Sequence, residues 1–435
     1  VQYNRLSAQT GFRSIVMSAA YDLSRAPRVN SPDPFAPLTL PAEPAHVIAS
    51  DAEAIAAAHR LAAAFAPGAA LRDREALVPV REVEAYSQSG LWGIRVPKRY
   101  GGAEVSYVTV TDVFKIISAA DPSLGQIPQN HFSLIEHIAL DGTEAQRRRL
   151  LAWVLRGGRF GNATSETGGK HAGDLQTHFV EVGDDVIVNG TKFYGTGALV
   201  AHIVPIAAID RDHRVHIVFA DRDAPGLEVV NDWSSFGQRT TASGTVRLTE
   251  VRVPKDRVVP AYQAFARPTA SGPISQILQA AIDAGIAKGT IDDTIAFIRT
   301  KARPWVDSGQ ATAAEDYFTI AAIGDLQIKL HAAEAVLERS ARLTDAAIAD
   351  PNEATVAEAA VAVAEAKVLT TEIAILAANK LFELGGTRST LAVHGLDRHW
   401  RNARTHTLHD PVRWKFFHVG NYYLNDVKPA RHLWL

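Results

Sequence analysis

The sequence predicts an α+β chain built from an N-terminal helical domain, a central β-barrel domain and a C-terminal four-helix bundle. Three observations carry that prediction. Helical period dominates up to Gly157-Gly158, short β-rich segments follow from Phe179 to Val253, and helical stripes return beyond Pro260. The implied divisions are an arm over 1–45, a helical domain over 46–158, a β-domain over 159–262 and a bundle over 263–435. With 435 residues and 47% hydrophobic content, the chain is long enough for more than one core.

Each part has its own warrant. Val1 to Val16 carries Arg5 and Arg13 but no apolar core of a secretory signal, and Met17, the only methionine, reads as the initiator. Pro32, Pro34, Pro37, Pro41 and Pro44 make Ser31 to Ala45 an extended arm, because each ring removes a donor and disfavours a helix before it. Ser50-Asp51-Ala52-Glu53 is a helix start leading into Ala54 to Ala66. Further helices are predicted at Val78 to Ser89, Thr109 to Ala120, His131 to Leu140 and Thr143 to Leu155. Gly183-Asp184-Asp185 between Phe179–Val182 and Val186–Val188 reads as a hairpin. Segments at 203–209, 215–220, 227–230 and 245–253 continue at about ten-residue spacing, which suggests a small barrel or sandwich. In the bundle, Leu326, Leu330, Ala333, Leu337 and Ala341 form one stripe, and Val361, Ala364, Val368, Thr371 and Ile375 another. Ala281, Ala284, Gly285 and Gly289 allow close backbone approach on the preceding helix.

Composition narrows the chemistry. Forty-five Lys+Arg against 47 Asp+Glu leave a net charge of −2, so there is no electrostatic case for nucleic acid or a membrane surface. Cysteine is absent, which removes disulfides, iron–sulfur clusters and a thiolate nucleophile. No uninterrupted apolar run of membrane-span length is present, and a cytoplasmic location is expected.

Five motifs bear on function. Gly161-Asn162-Ala163-Thr164-Ser165-Glu166 puts an amide and two hydroxyls beside glycine at the entry to the β-domain, suitable partners for a flat heterocycle. Tyr194-Gly195-Thr196 supplies an aromatic and a hydroxyl on a strand. Trp233 to Gly244 combines an indole with Arg239 and Ser243, and an arginine among hydroxyls and glycines grips phosphate bidentately. Arg299 to Trp305 gathers cations at a helix end, where a solvated terminus is the plainer reading. Finally, Arg398-His399-Trp400-Arg401-Asn402-Ala403-Arg404-Thr405-His406-Thr407-Leu408-His409-Asp410-Pro411 holds a His–Asp pair. His406 and His409 are three apart with Asp410 following, but no further carboxylate pattern completes a metal site, and none is expected.

Helices, then a β-domain, then a bundle carrying these motifs resembles the acyl-CoA dehydrogenase fold, from about Pro41 to Leu435. Within it the chain is similar to the sulfur-acquisition oxidoreductases related to dibenzothiophene monooxygenase. The long Arg-His-Trp-Arg motif is the specific part. The resemblance implies flavin contacts from Asn162, Thr164, Ser165, Tyr194 and Thr196, with Tyr194 on the ring and Thr196 near N5 and C4a. It implies Trp233 as pocket wall, Arg239 and Ser243 as phosphate-side ligands, and Arg303 and Arg388 reaching flavin phosphate, across subunits in the family. Acyl-CoA dehydrogenases use a glutamate where this chain has His409-Asp410, and the alternative family position holds Asp283. An imidazole–carboxylate pair suits proton traffic to an oxygen intermediate better than removal of a carbon-bound proton.

The implied activity is two-component monooxygenation through a C4a-hydroperoxyflavin. Reduced FMN would come from a separate NAD(P)H-dependent flavin reductase, O2 would be the oxidant, and the substrate a small organosulfur compound. Asn162 and Thr196 would hold the reacting edge, His409 oriented by Asp410 would manage the proton, and substrate would lie between Trp233 and His131. In dibenzothiophene monooxygenases the helix start at 121–131 offers His and Tyr where this chain has Gln126 and Asn130, so a smaller or more polar substrate is expected. An acyl-CoA dehydrogenase with FAD and a non-catalytic flavin-binding protein are the alternatives. A homotetramer follows from the fold.

Overall fold

The computed structural model describes residues 44–435. Most of the proline-rich arm, and Met17, lie outside the described residues.

Six helices open the described chain: α1 Asp51–Glu75, α2 Val80–Gln88, α3 Tyr107–Ala120, α4 Pro122–Gln126, α5 Gln129–Asp141 and α6 Glu144–Leu155. The predicted starts rest on real caps, since Ser50 accepts the Glu53 N–H at 3.2 Å and Thr143 forms a capping box with Gln146. The first helix differs from expectation: it runs through Pro67 and stops only at Ala76, which is left-handed (φ 49°). Ala69, Arg72 and Asp73 are buried in that extra stretch. Arg72 reaches Asp121 at 2.8–3.0 Å, so tertiary burial offsets the donor that proline removes. By length and composition α1 is apolar enough to cross a membrane, but Ala54, Ala57, Ala58, Phe65 and Ala69 are buried inside the protein.

The strands are β1 His178–Val182, β2 Asp185–Lys192, β3 Ile203–Ile209, β4 Val215–Asp221, β5 Leu227–Val229, β6 Val246–Pro254 and β7 Val258–Val259. The predicted hairpin turns at Gly183 (φ 61°) and Asp184. The strands form one seven-stranded sheet, β5-β6-β2-β1-β3-β4-β7, rather than a closed barrel. It curls so that β4 residues Val218 and Ala220 share an apolar core with Val246, Leu248 and Val251 of β6.

After α7 Tyr262–Ala266, the C-terminal part comprises α8 Ser271–Thr300, α9 Tyr317–Ala349, α10 Glu353–Gly385, α11 Asp397–His406 and α12 Arg413–Asn425. Three long helices carry the bundle, with two short ones against them. The helical parts at either end of the chain share one continuous core, in which Val110, Phe114 and Ile117 of α3 meet Ile274, Ile277 and Ile286 of α8. Glycine makes that contact feasible. A Cβ on Gly285 would sit 2.5 Å from Ser118 Cβ, and one on Gly289 would sit 2.2 Å from Ala119 O. The shared core fixes α4 and α5 against α8 and α11, where the functional motifs converge.

Candidate active site

The loop before β6 is the keystone. Gln238 has left-handed backbone (φ 51°), a strained state for a residue with a Cβ, and its N–H, carbonyl and Oε1 are all held. Its N–H donates to Asn402 Oδ1 of α11 (2.7 Å), and its Oε1 accepts from Ser123 of α4 (3.1 Å). Its carbonyl accepts from the Trp233 indole (2.8 Å) and from Thr241 Oγ1 (2.9 Å). Gly237 precedes it because a Cβ there would fall 1.9 Å from Arg401 O. The loop therefore lies directly on α11.

A file of hydroxyls leads away from this anchor. Thr241 Oγ1 is 2.7 Å from Ser243 Oγ, which is 2.7 Å from Thr196 Oγ1. Ser243 and Thr196 share a hydrogen bond, so the phosphate-side role expected of Ser243 and the ring-edge role expected of Thr196 fall at one place in the protein. Arg239 lies elsewhere on the loop, donating to Arg74 O (3.3 Å) beside an open cleft lined also by Asp73, Phe236 and Arg401.

Asn162 spends its amide on architecture: Nδ2 donates to Tyr194 O (3.1 Å), and Oδ1 accepts from Thr164 N–H (3.0 Å). It thereby ties two loop segments beside Thr196. Tyr194 is 48% exposed with φ 55°, and its ring meets Trp233 edge-on at 5.9 Å. Thr164 and Ser165 are half-buried next to it. Glu166, not assigned a role from sequence, accepts from Lys192 Nζ (2.6 Å) and from the backbone of Gln176 and Thr177. Burial pushes its carboxyl up, but Lys192 and those amides outweigh it and hold the group below the ordinary carboxylate range.

The helical wall carries charge. His409 Nδ1 faces Asp410 Oδ1 (3.2 Å), and Gln279 Nε2 approaches His409 Nε2 at 3.5 Å. With Nδ1–H directed at the carboxylate, the Nε2 lone pair is the acceptor that the Gln279 amide N–H approaches. Asp410 also pairs with Lys415 (3.3 Å). Burial acts to raise its pKa, but His409, Lys367 and Lys415 together hold it well below the carboxylate range. Behind it lies a network the sequence reading did not assign. His406 Nδ1 meets Asp283 Oδ1 at 2.5 Å, and Asp283 Oδ2 accepts from Lys367 (2.6 Å) and Thr371 (2.9 Å). His406 Nε2 faces Gln126 and Gln279, both at 2.9 Å. Gln279 thus bridges the two histidines. A signal was available: opposite charges, Asp283 and Lys367, interrupt the two most apolar stretches of the bundle, and buried charges require partners.

His131 is a core histidine, which corrects its expected place against substrate. It is fully buried, its Nε2 donates to Trp92 O (2.9 Å) and its Nδ1 accepts from Phe160 N–H (3.1 Å). Burial drives its pKa down to about 3, so it is neutral with both nitrogens occupied. Arg303 and Arg388 are exposed, and Arg388 donates to Lys301 O (2.7 Å) just past the end of α8.

A half-exposed aromatic pair, a hydroxyl file and a His–Asp pair thus come together on a scaffold of helices, sheet and helices. The acyl-CoA dehydrogenase N-terminal domain family matches residues 51–158, and the C-terminal domain family matches 277–414. Dibenzothiophene monooxygenase from Rhodococcus erythropolis is 33% identical over 413 residues, 90% of this chain and 99% of that protein. A probable FMNH2-dependent monooxygenase, SfnC of Pseudomonas putida, is 30% identical over 87% of this chain and 96% of its own. The structure of TdsC from Paenibacillus sp. A11-2 with FMN and indole superposes with a TM-score of 0.84 at 30% identity, over 88% of this chain and 99% of that one. Methanesulfinate monooxygenase MsuC from Pseudomonas fluorescens gives 0.83 at 27% identity, over 88% and 99%. The chain belongs to the acyl-CoA dehydrogenase fold family. Within that family it is a member of the flavin-dependent monooxygenase group that includes dibenzothiophene monooxygenase.

Proposed function

We propose that the protein is a two-component monooxygenase that takes reduced FMN from a separate NAD(P)H-dependent reductase and oxidises a small, polar organosulfur compound with O2. The observation that carries this reading is the His409–Asp410 pair, ionised on the Asp side, standing where an acyl-CoA dehydrogenase needs a glutamate. Reduced FMN, when bound, supplies the two electrons for oxygen activation.

The donor set fits a flavin. Tyr194 and Trp233 offer a half-open aromatic surface, Thr196 and Asn162 offer polar atoms beside it, and Gln238 Nε2 and Thr405 Oγ1 are buried without a partner on the two facing elements. In this reading Tyr194, Thr164 and Ser165 bind the ring system, and Trp233 walls the pocket. Arg303 and Arg388 serve the phosphate of a neighbouring subunit's cofactor, and Arg239 guards the outer end. His409 holds or moves the proton at Nε2, and Asp410 fixes its tautomer. Gln126 and Gln279 bring amides rather than aromatic rings to this wall, which favours a polar sulfur compound. The exposed aromatics of α12, Trp414, Phe416, Phe417 and Tyr423, support assembly, and a cytoplasmic homotetramer is the expected form.

The test mixes the protein anaerobically with photoreduced FMN, adds oxygen with a sulfinate or sulfone, and compares oxygenated product with hydrogen peroxide released. Parent protein is expected to couple most flavin oxidation to product. His409→Ala should bind FMN within about threefold of parent but release peroxide instead. Equal coupling in that variant removes His409 from the reaction. Flavin bleaching by an acyl-CoA under nitrogen would overturn the monooxygenase reading itself.

A further inference from the structure

The hydroxyl file has a direction. A hydroxyl carries one proton and two lone pairs, whereas a carbonyl oxygen only accepts. Gln238 O ends the file, so the Thr241 proton goes to it (2.9 Å). The Thr241–Ser243 contact at 2.7 Å must then be filled by the Ser243 proton, and the Ser243–Thr196 contact at 2.7 Å by the Thr196 proton. A weaker option for Thr196, Tyr194 O at 3.5 Å, also draws that proton inward. Reversing the file would leave two oxygen lone pairs facing each other at Gln238, in a site where Thr196, Ser243 and Thr241 are all buried. The carbonyl cannot turn away, because Asn402, Ser123 and Trp233 hold its residue on three sides. Thr196 therefore meets a ligand with lone pairs only.

We propose that Ser243 and Thr241 are positioning residues that fix Thr196 as a hydrogen-bond acceptor, so that the site selects reduced over oxidised FMN. This rests on the reading above that Thr196 lies at the flavin N5 edge. Reduced flavin carries hydrogen on N5 and can donate to Thr196. Oxidised flavin presents a lone pair there and meets another lone pair. An enzyme supplied with reduced FMN by a partner gains by this asymmetry: it captures the reduced form and lets the oxidised form leave.

The test measures the dissociation constants of oxidised FMN in air and of reduced FMN under nitrogen, with the potential of bound flavin as a second readout. Thr241→Val keeps the shape of the side chain and removes the anchor, freeing Ser243 and Thr196 to turn. The ratio of oxidised to reduced dissociation constants should fall about fivefold, chiefly through tighter oxidised FMN. For a two-electron couple, that lowers the bound potential by about 20 mV. Thr241→Ser should restore the parent ratio. Should Thr241→Val fold poorly, Ser243→Ala breaks the file in the middle and carries the same expectation. An unchanged ratio in the folded variant, with Thr196→Val still weakening reduced FMN, overturns the directional file alone. If Thr196→Val alters neither affinity, the placement of Thr196 at N5 is what fails.

Discussion

The two walls of the site solve the same problem by different physics. The β-domain wall is built from neutral groups, Thr196, Ser243, Thr241 and the Gln238 carbonyl, whose order is set by which atoms lack a proton. The helical wall uses buried charge, Asp283 between Lys367 and His406, and Asp410 between His409 and Lys415. A neutral file incurs little desolvation and fixes direction. A charged array incurs a large desolvation cost and fixes the proton inventory, so losing one of its members should hurt far more.

Lys367→Met is the strongest test of that contrast. It leaves Asp283, fully buried, with only His406 and Thr371, and breaking a buried pair from one side costs about 3–5 kcal/mol. Urea unfolding should show a loss of that size, whereas Thr241→Val should lose about 1 kcal/mol. A double change, Asp283→Leu with Lys367→Met, should recover part of the stability because no charge is left unpaired. Equal losses for Lys367→Met and Thr241→Val would erase the distinction between the walls.

His131 extends the comparison to pH. Its folded pKa of about 3 lies below the ordinary 6.5, so the unfolded chain takes up the proton first as pH falls. The contribution is fully present above 6.5 and is lost progressively between 6.5 and 3, reaching on the order of 5 kcal/mol. Thermal melts of parent protein should decline across that window. His131→Gln retains a donor and an acceptor for Trp92 O and Phe160 N, so its decline should be shallower while coupling of oxygenation stays at the parent level. A His131→Gln enzyme that folds but loses coupling would return this residue to the reaction.

Much of the scaffold was legible because it rests on local signals. Ser50 and Thr143 announced helix starts, and Gly183 with Asp184 announced the hairpin. The end of α1 was not legible, since Pro67 marks a local break that the Arg72–Asp121 contact, 49 residues apart in sequence, overrides. The site divides the same way. His409 and Asp410 are neighbours in the chain and their pairing is readable. Asp283 and His406 are 123 residues apart, and only the apolar setting of each charge hints that they meet. The contact between Ser243 and Thr196 was not legible for a related reason: residue type identifies a hydroxyl but not which hydroxyl it faces across a loop.

Lys192 and Glu166 are the exception within the β-domain wall, an ion pair whose cation is fully buried. Their task is mechanical, since Glu166 also gathers the Gln176 and Thr177 amides and so closes the loop that carries Thr164 and Ser165. Glu166→Gln keeps an acceptor for Lys192 Nζ but leaves that buried ammonium without a counter-charge, so the expected loss is about 3 kcal/mol, the low end for a buried pair broken from one side. Because the folded carboxyl titrates below its ordinary 4.5, its stabilisation is present above that pH and fades as pH falls through the lowered value. The variant should therefore lose part of the acid dependence below about 4.5 while the upper part of the decline, set by His131, persists. FMN of both oxidation states should bind a few-fold more weakly with their ratio unchanged, because the ion pair holds the loop but takes no part in the direction of the hydroxyl file. A change in that ratio would mean that charge, not proton order, controls the β-domain wall.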